Sequence, residues 1–563
     1  MRRQKWAILI LLIALVMAGT AAVAVMHKRK TASAERPVSG MESPGTEDAG
    51  ETEETAETER AAEESSGAAG KPGASGDRDA SAGGEDRTAD GEEETAGGKA
   101  GTPEEEAEAA GGKTGTAGDE NETAGGKAGA TTDGKTGTAG VVPGTIDGAG
   151  DDQKKQPPTI VWMSDIHYLT PALTDYGPSF QAAVEADDGK LTGYTPQLLE
   201  AFIDEVIELH PDALVLGGDV TFNGEKQSHI DLSERLRRVQ DAGVQVLMMP
   251  GNHDLSNHNA VSFSGDTRTH VESVNGREFY EIYHDYGFDQ AVSRDPASLS
   301  YIYELDEENW LLLLDSCQYE DGNKVDGRIR EATYEWMTGI VTEAVERGIT
   351  VIPMAHHNLM DESRLFTTEC TMADNERLIA LLESWRCPVF MSGHLHLQRM
   401  LKHETGEDYG IYEIVGGSFS IPPCKYGIME WKEDGTLDYR TKELDMAAWV
   451  ARNAVTDENL LNFSQYAYNF LLNSVGAKMA SRDLEYLPKG QEQAMKDLYV
   501  KVYESYCQGV YVDMTQMEQA QNYWMWERNR PDSDSRRKLD IMINDAYSDN
   551  RQIVIPIYKK SAQ

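Results

Sequence analysis

Five short polar blocks in this sequence carry side chains that bind transition metals, and each block follows a short apolar run. The blocks are Asp165-Ile166-His167, Gly218-Asp219, Gly251-Asn252-His253-Asp254, His356-His357 and Gly393-His394-Leu395-His396. Imidazole and carboxylate ligands together suit zinc, manganese, iron or nickel. Taken singly, each block has an ordinary interpretation as a turn or a hydrogen-bonded loop. Because all five blocks have the same chemistry, we expect them to share one metal centre.

The spacing within the blocks indicates how their side chains reach that centre. In an extended chain, residues i and i+2 point to the same side. The Asp-x-His pair at 165–167 and the His-x-His pair at 394–396 are therefore each expected to reach one site. Asn252 and His253 are adjacent in a loop, so their side chains are expected to diverge. One would contact a metal while the other faces a substrate.

The apolar runs before the blocks predict the elements that position them. These runs lie at 160–163, 213–216, 244–249, 350–354 and 388–391. Apolar residues at helical spacing lie between several of these runs, for example over 198–207. The alternation of strand and helix predicts an α/β domain with a largely parallel central sheet, whose chemistry lies at the carboxyl ends of the strands. After His396 the pattern becomes strand after strand to about Leu444, which predicts a second, more antiparallel sheet packed on the first.

The order and content of the five blocks resemble the signature of the calcineurin-like metallophosphoesterase superfamily. That signature reads Asp-x-His, Gly-Asp, Gly-Asn-His-Asp/Glu, His and Gly-His-x-His, and every block is present between Asp165 and His396. The resemblance covers roughly residues 159–444. It implies an α/β fold in which a β-sandwich is flanked by helices in αββα layers, and it is weakly specific for substrate.

The resemblance also implies a ligand set for two divalent ions, which would be manganese, iron, zinc or nickel. One ion would be held by Asp165, His167 and His396, the other by Asn252, His356 and His394, with Asp219 bridging the two. A bridging carboxylate suits this arrangement because two cations about 3.5–4 Å apart repel each other. The choice of His356 over His357 as the ligand rests on its position in the family pattern.

By the same resemblance, the substrate is a phosphate monoester or diester. The ions would clamp two phosphate oxygens and lower the pKa of a bridging water to give hydroxide near neutral pH. His253 would protonate the leaving oxygen, with Asp254 as a candidate orienting partner. Phe222 stands three residues after Asp219, where the purple acid phosphatase branch has a tyrosinate ligand, so the resemblance speaks against that branch.

The N-terminal segment, residues 1–30, predicts a membrane anchor or a signal peptide. Basic residues precede an apolar run from Trp6 to Met26, which at about 1.5 Å per residue spans roughly the 30 Å of a bilayer core. The length favours a retained anchor, and cleavage near Ala32-Ser33-Ala34 is the alternative. Both interpretations place the rest of the chain outside the cell membrane. The expected location is the cell membrane, single-pass with the catalytic domain outside, or secreted if the segment is cleaved.

Residues 31–157 are rich in Gly, Ala, Thr and Glu and have almost no large apolar side chain. Such a segment buries too little apolar surface to offset the entropy of ordering, so it is predicted to be a disordered spacer. The metallophosphoesterase domain is assigned to residues 158–445. Residues 446–563 are predicted to form a helical C-terminal extension of unknown role, because Met495, Leu498, Tyr499, Val502, Tyr503 and Tyr506 have the spacing of a buried helix face.

Net charge and cysteine content bear on nucleic-acid binding and on disulfide bonding. The formal net charge of −44 repels polyanions, so we expect no nucleic-acid partner from the bulk charge. The five cysteines are scattered without a Cys-x-x-Cys pair, which predicts no disulfide framework.

The leading functional prediction is a membrane-anchored or secreted metal-dependent phosphoesterase. Location outside the cytoplasm makes an intracellular second messenger an awkward substrate, and nucleotides, sugar phosphates or wall polymers are equally accessible. The alternative is a catalytically inactive cell-surface binding or scaffold protein on the same fold. The intact set of ligand residues favours the enzyme.

Overall fold

The structure is a computed structural model that describes residues 156–406, 409–546 and 548–558. The predicted N-terminal segment and nearly all of the predicted spacer lie outside these residues. Within the described part of the chain, no helix combines the length and the apolar character needed to cross a membrane.

The strands of the described part are numbered in chain order. They are β1 (Thr159–Met163), β2 (Ala213–Gly217), β3 (Gln245–Met249), β4 (Val261–Ser264), β5 (Thr267–His270), β6 (Ser293–Arg294), β7 (Tyr301–Glu304), β8 (Asn309–Leu314), β9 (Thr350–Ala355), β10 (Val389–Ser392), β11 (Arg399–Glu404), β12 (Gly410–Val415), β13 (Lys425–Trp431), β14 (Thr436–Glu443) and β15 (Gln552–Pro556).

The α-helices follow the same numbering. They are α1 (Pro178–Ala186), α2 (Thr195–Leu209), α3 (Lys226–Asp241), α4 (Gly276–Tyr283), α5 (Glu331–Glu346), α6 (Asn375–Trp385), α7 (Met446–Arg452), α8 (Glu458–Leu461), α9 (Phe463–Asp483), α10 (Lys489–Cys507), α11 (Met517–Asn529) and α12 (Asp534–Asp545). Short 3₁₀ and π turns complete the helical content, at Pro171–Leu173, Thr192–Tyr194 and His284–Phe288.

Two mixed sheets form the centre of the molecule. The first has the order β15-β14-β13-β1-β2-β3, and the second has the order β11-β12-β10-β9-β8-β7-β6. Strands β1, β2 and β3 are parallel, whereas β13 is antiparallel to β1. In the second sheet β8, β9, β10 and β12 are parallel, and β7 and β11 are antiparallel to their neighbours.

The prediction that the strands after His396 together form a second, more antiparallel sheet packed on the first is wrong. Strands β11 and β12 extend the second sheet beside β10, while β13 and β14 return to the first sheet beside β1. The apolar pattern of these strands is compatible with a place in either of the two sheets. Their assignment is decided by tertiary pairing, which local sequence does not contain.

Alternation along β8 shows how the layers are built. Leu311 and Leu313 lie in the core between the two sheets, whereas Trp310, Leu312 and Leu314 lie in the core that α5 and α6 cover. Successive side chains of a strand point to opposite faces, so one strand serves both layers.

The outer face of the first sheet is covered by α2 and α3. Helix α2 buries Leu198, Leu199, Phe202 and Val206 in the same core as strand β1. With α5 and α6 on the second sheet, the layers are helix, sheet, sheet, helix. The predicted αββα sandwich is confirmed.

The C-terminal extension is mainly helical, as predicted, and the apolar stripe of α10 is buried along its length. The buried residues of that stripe are Met495, Leu498, Tyr499, Val502, Tyr503 and Tyr506. They share a core with Leu395 and Leu397, which belong to the loop after β10. The helices therefore pack directly against a segment that carries two predicted metal ligands.

The last strand, β15, was not predicted. It pairs antiparallel with β14 and forms the edge of the first sheet, where Ile555 is fully buried. The run Ile553-Val554-Ile555 has the β-branched composition of a strand. The prediction of a helical extension did not take this β-branched run into account.

Candidate metal centre

Five strand ends bring the predicted site residues together. The loops after β1, β2 and β3 carry Asp165 and His167, Asp219, and Asn252, and the loops after β9 and β10 carry His356, and His394 and His396. Both sheets contribute, because their carboxyl ends open at the same edge of the sandwich. Polar groups at this position belong to the usual geometry of open α/β sheets.

The first group of donor atoms comes from Asp165, His167, Asp219 and His396. One donor atom from each lies within 4.8 Å of the others. The Nε2 atoms of His167 and His396 are 3.1 Å apart. Nε2 of His396 is 3.5 Å from Oδ1 of Asp165, and Nε2 of His167 is 3.9 Å from Oδ2 of Asp219. Two imidazole nitrogens facing two carboxylate oxygens form a suitable ligand set for a divalent transition metal.

The second group comes from Asp219, His356 and His394, whose donor atoms also lie within 4.8 Å of one another. Nε2 of His356 is 3.3 Å from Oδ2 of Asp219 and 3.1 Å from Oδ1 of Asn252. Asp219 therefore belongs to both groups, and its Oδ2 lies between them. This is the position that a bridging carboxylate requires.

The backbone of the site differs from the extended geometry expected for Asp-x-His and His-x-His. Asp165, His167, Asp219, His394 and His396 all have φ between 48° and 69°, in the left-handed region. Non-glycine residues there cost of order 1–3 kcal/mol each and are concentrated at functional sites. The pairs do converge, but through left-handed turns after the strands.

Gly251 of the third block lies where the loop after β3 closely approaches the loop after β2, which carries Asp219. A Cβ atom on Gly251 would lie 2.1 Å from the backbone nitrogen of Asp219, a distance that no side chain permits. The backbone amide of His253 donates to Oδ1 of Asp219 at 2.7 Å. Gly251 thus allows the third block to hold one carboxylate oxygen of Asp219 while the other faces the imidazoles.

Ring nitrogens that face away from the site are held by other acceptors. Nδ1 of His356 donates to the carbonyl of Gly217 at 2.9 Å, and Nε2 of His394 donates to the carbonyl of Glu369 at 2.8 Å. Each contact fixes the tautomer and leaves the opposite nitrogen free to bind a cation. Such outer hydrogen bonds are typical of metal-binding histidines.

The charges of the site fit divalent cations. Burial would raise the pKa of Asp219, but His356 and His253 hold it well below its usual range. Burial by itself would lower the pKa of His356, but the carboxylates of Asp219 and Asp165 outweigh burial and raise that pKa to about 9. The buried carboxylates therefore need nearby positive charge. A divalent ion held by these residues would supply that charge in place of the imidazole protons.

Burial has the same effect on two other imidazoles, but there the nearby carboxylates do not outweigh it. It lowers the pKa of His394 to about 4 and holds the pKa of His167 well below 6.5. Both rings are neutral at physiological pH, the form in which histidine binds metals. Nδ1 of His167 is also buried and has no hydrogen-bond partner within the described residues.

The ring of His253 lies at the rim, with about a third of its side chain exposed. Its Nδ1 donates to the carbonyl of Phe222 at 2.9 Å and lies 3.1 Å from Oδ1 of Asn223. Nε2 is 4.0 Å from Oδ2 of Asp219. His253 thus diverges from Asn252, as expected for adjacent residues with different roles.

Asp254 does not occupy the predicted position against the ring of His253. Its carboxylate accepts hydrogen bonds from the backbone amides of Val220, Thr221 and Gly251 at 2.8–3.2 Å. It is fully buried, and burial raises its pKa to about 6. Asp254 therefore braces the loop that carries Asp219, and the orienting contact to His253 comes from Phe222.

The ring of His357 packs against that of His394 with centroids 4.5 Å apart, but neither of its nitrogens faces the donor groups. Its Nδ1 lies 2.8 Å from the hydroxyl of Ser316, and its Nε2 donates to the carbonyl of Val325 at 2.8 Å. His356 is the member of the pair that faces Asp219. The choice of His356 as the ligand agrees with this geometry.

Sequence reasoning missed a carboxylate that contacts the site. Oδ2 of Asp188 lies 2.8 Å from Nδ1 of His396. Asp188 is also paired with Lys190, which in turn contacts Asp187. The loop at 187–190 is held from the C-terminal extension, because the hydroxyl of Tyr503 donates to the carbonyl of Asp188 at 2.9 Å. The short run Asp187-Asp188 was its sole sequence signal.

A cavity of about 580 Å³ opens beside His394 and His396. One wall comes from the core domain and includes Phe366, and the opposite wall comes from α10 and includes Tyr499 and Tyr503. The lining is mostly apolar and aromatic. It has the size and character of a pocket for the organic part of a ligand.

Comparison with known families agrees with this geometry. The family model described as calcineurin-like phosphoesterase matches residues 158–398. A second model, described as the C-terminal domain of cyclic nucleotide phosphodiesterase, matches residues 445–549. Together the two matches cover most of the described part of the chain.

One curated relative is a probable cyclic nucleotide phosphodiesterase of Ruthia magnifica subsp. Calyptogena magnifica. It is 36% identical over 66 residues, which are 12% of this chain and 27% of that protein. The chain thus matches about a quarter of the relative's length.

Among solved structures, a dimetal phosphatase from Danio rerio is 13% identical, and the match covers 51% of this chain and 97% of that one with a TM-score of 0.38. The NAD nucleotidase of Haemophilus influenzae is 11% identical over 51% of this chain and 50% of that one, with a TM-score of 0.28.

Proposed function

We propose that this chain, which belongs to the calcineurin-like metallophosphoesterase superfamily, is a hydrolase that uses two divalent ions to cleave phosphate esters by attack of hydroxide. The observation that carries the proposal is the position of Asp219. Its Oδ2 lies 3.3 Å from Nε2 of His356 and 3.9 Å from Nε2 of His167, between two groups of donor atoms. A structural carboxylate has no need of imidazoles on both sides.

Two divalent ions held by these groups would supply positive charge for the phosphate oxygens and would ionise a water near neutral pH. The first ion would be held by Asp165, His167 and His396, and the second by Asn252, His356 and His394. Neutral Asn252 adds no negative charge to the second group. The site can therefore attract an anionic phosphate.

His253 is placed to act on the leaving group. Because its Nδ1 donates to the carbonyl of Phe222, its Nε2 faces the open side of the site. That nitrogen lies 4.0 Å from Oδ2 of Asp219, next to the predicted metal ligands. A protonated His253 can donate to the departing oxygen.

We further propose that the preferred substrates are phosphate diesters, cyclic nucleotides among them. The aromatic walls of the 580 Å³ cavity, formed by Phe366, Tyr499 and Tyr503, suit a flat organic group next to the phosphate. The match of the extension to the C-terminal domain of cyclic nucleotide phosphodiesterase and the name of the curated relative support the same substrate class.

The proposed location is the cell membrane, with the catalytic domain outside, or the exterior if residues 1–30 are cleaved. The apolar run from Trp6 to Met26 supports the proposal. A catalytic domain outside the membrane would act on extracellular rather than cytoplasmic diesters.

The test is metal content measured beside hydrolysis. The purified full-length protein, loaded with manganese or zinc, should bind about two ions per chain. It should cleave bis(p-nitrophenyl) phosphate faster than p-nitrophenyl phosphate, and chelation should abolish both activities. Two bound ions with no hydrolysis of either ester, or of 3′,5′-cyclic AMP, would overturn the proposal and favour the inactive scaffold.

A further inference from the structure

A second and larger cavity lies apart from the predicted metal ligands. It has a volume of about 1030 Å³. One side is formed by residues 176–197 of the core domain, and the other by residues 457–478 of the C-terminal extension. None of the predicted metal ligands lines it, so the metal centre does not account for it.

Aromatic rings form the floor and walls of this cavity. Tyr176 and Phe180 meet edge to face with ring centroids 5.4 Å apart, and Tyr194 and Tyr466 do the same at 5.1 Å. Phe470 lies next to Tyr466. Rings from both halves of the junction therefore enclose one space. Flat apolar surfaces of this kind pack well against the C–H faces of sugar rings.

Amide side chains supply the polar part of the lining. They are Gln181, Gln197, Asn459, Asn469 and Asn473. Each amide offers both a donor and an acceptor, which matches the hydroxyl groups of a polyol. Oε1 of Gln197 is buried and has no hydrogen-bond partner within the described residues. A buried amide oxygen without a partner is uncommon in a folded protein.

The charged residues of the lining argue against a highly charged ligand. They are Glu185, Asp457 and Lys478. The Asp457 carboxylate already accepts from the amides of Asn459 and Leu460 at the start of α8, and Lys478 contacts the carbonyl of Asp187. The formal sum of the three charges is −1, so polyanions are disfavoured. An uncharged ligand with many hydroxyls fits this lining.

We propose that this cavity is a binding site for an uncharged oligosaccharide. Pockets of ~300–1,000 Å³ hold drug-sized ligands, so there is room for roughly two to four sugar rings. The proposal does not rest on the phosphoesterase activity. It assigns the junction between the core domain and the helical extension a role of its own.

The test is titration calorimetry on the full-length protein with a panel of neutral tetrasaccharides, namely cellotetraose, chitotetraose, maltotetraose and mannotetraose, and with adenosine as an aromatic probe. At least one tetrasaccharide should bind, and adenosine should not compete with it. Tyr176→Ala, at a side chain that is 41% exposed, should weaken binding at least tenfold. Asn473→Ala, on the exposed face of α9, should also weaken it.

The matched control is Tyr486→Ala. Tyr486 is 92% exposed, lies outside the cavity and, like Tyr176, has a left-handed backbone. Its replacement should leave binding unchanged, and an unchanged Tm should show that all three variants fold. Failure of every tetrasaccharide to bind would overturn the proposal. Displacement of a bound tetrasaccharide by adenosine, or equal affinities in the cavity variants and the control, would overturn it too.

Discussion

Asp188 and His396 are 208 positions apart in the chain, yet Oδ2 of the aspartate lies 2.8 Å from Nδ1 of the histidine. The contact turns Nε2 of His396 toward Oδ1 of Asp165, 3.5 Å away. Burial opposes protonation of His396, but Asp188 and Asp165 together raise its pKa to about 10. A carboxylate behind a metal-binding imidazole orients the ring and increases its basicity.

Asp188→Asn should therefore weaken binding of the ion held by Asp165, His167 and His396 by roughly 10–100-fold. The asparagine can still accept from Nδ1, but it lacks the charge that makes the imidazole a better donor to the metal. Metal titration of the variant measures the effect, and excess metal should restore kcat. Asp187→Asn is the control, because Asp187 pairs with Lys190. Equal affinities in the two variants would contradict a role for Asp188.

Asp219→Asn should remove at least one ion per chain and most of the activity. The substitution takes away the one carboxylate whose oxygen faces both groups of imidazoles, so the two cations would repel each other without a shared anion. Elemental analysis of the purified variant gives the metal content. Full activity at unchanged metal content would refute the bridging assignment.

His253→Ala should keep both ions while kcat falls by roughly 10²–10⁴, the usual contribution of general acid catalysis. The loss should be smaller for a nitrophenyl ester, because nitrophenolate is a stable leaving group. The measurement is kcat for an alkyl and a nitrophenyl ester at saturating metal.

Asn252→Ala provides the comparison for His253→Ala, since its Oδ1 lies beside Nε2 of His356. It should lower metal affinity and leave the dependence on the leaving group intact. If His253→Ala lost metal to the same extent as Asn252→Ala, His253 would be a ligand and not an acid.

Glu225 is not one of the predicted metal ligands, and its buried carboxyl should make the stability of the protein depend on pH. Burial raises its pKa to about 7 from 4.5, although the amides of Asn223 and Val261 oppose the shift. The folded state then binds the proton more tightly than the unfolded state. The resulting stabilisation, on the order of 3 kcal/mol, is complete below pH 4.5 and is lost as the pH rises through 7.

In Glu225→Gln the free energy of unfolding should decrease less between pH 4.5 and pH 7 than in the parent protein. Urea unfolding at several pH values measures it. Glu281→Gln, on an exposed part of α4, controls for the loss of a carboxylate. If the free energy of unfolding of Glu225→Gln depended on pH as steeply as that of the parent protein, the Glu225 carboxyl would not titrate in this range.

The N-terminal segment has its own test. With a retained anchor, the full-length protein should sediment with membranes, and external protease should cut after Lys30. The fragment pattern on intact cells measures this. Recovery of a soluble protein that begins near Glu35 would show that the segment is a cleaved signal.

The sequence was sufficient to predict the parts of the site that lie next to strands. Asp165, Asp219 and His356 each follow an apolar run, and a run that ends in a metal-binding side chain is visible without any tertiary information. The runs also predict the α/β class, whereas the αββα layering is implied by the family resemblance of the polar blocks. The strand ends and the α/β class depend on local periodicity, which the chain itself displays.

The features that escaped prediction depend on contacts between distant segments. Asp188 lies in a loop without a motif, and only the fold brings it to His396. The backbone amide of Thr221 donates to the carboxylate of Asp254. Chain proximity alone favours the adjacent His253 as the partner of Asp254, so the sequence does not reveal this hydrogen bond. The left-handed φ of His394 is likewise set by the packing of its loop, since positive φ is uncommon for any residue other than glycine.

Strand β15 makes the order of synthesis matter for folding. The first sheet joins residues from the two ends of the folded part, because β1 pairs with β13 and β15 closes the edge beside β14. Contacts so far apart in the chain slow folding, and an emerging chain exposes β14 as an open edge until Gln552–Pro556 has been made. A product shortened ahead of that strand would be exposed to edge-to-edge aggregation even though every residue of the metal centre is present.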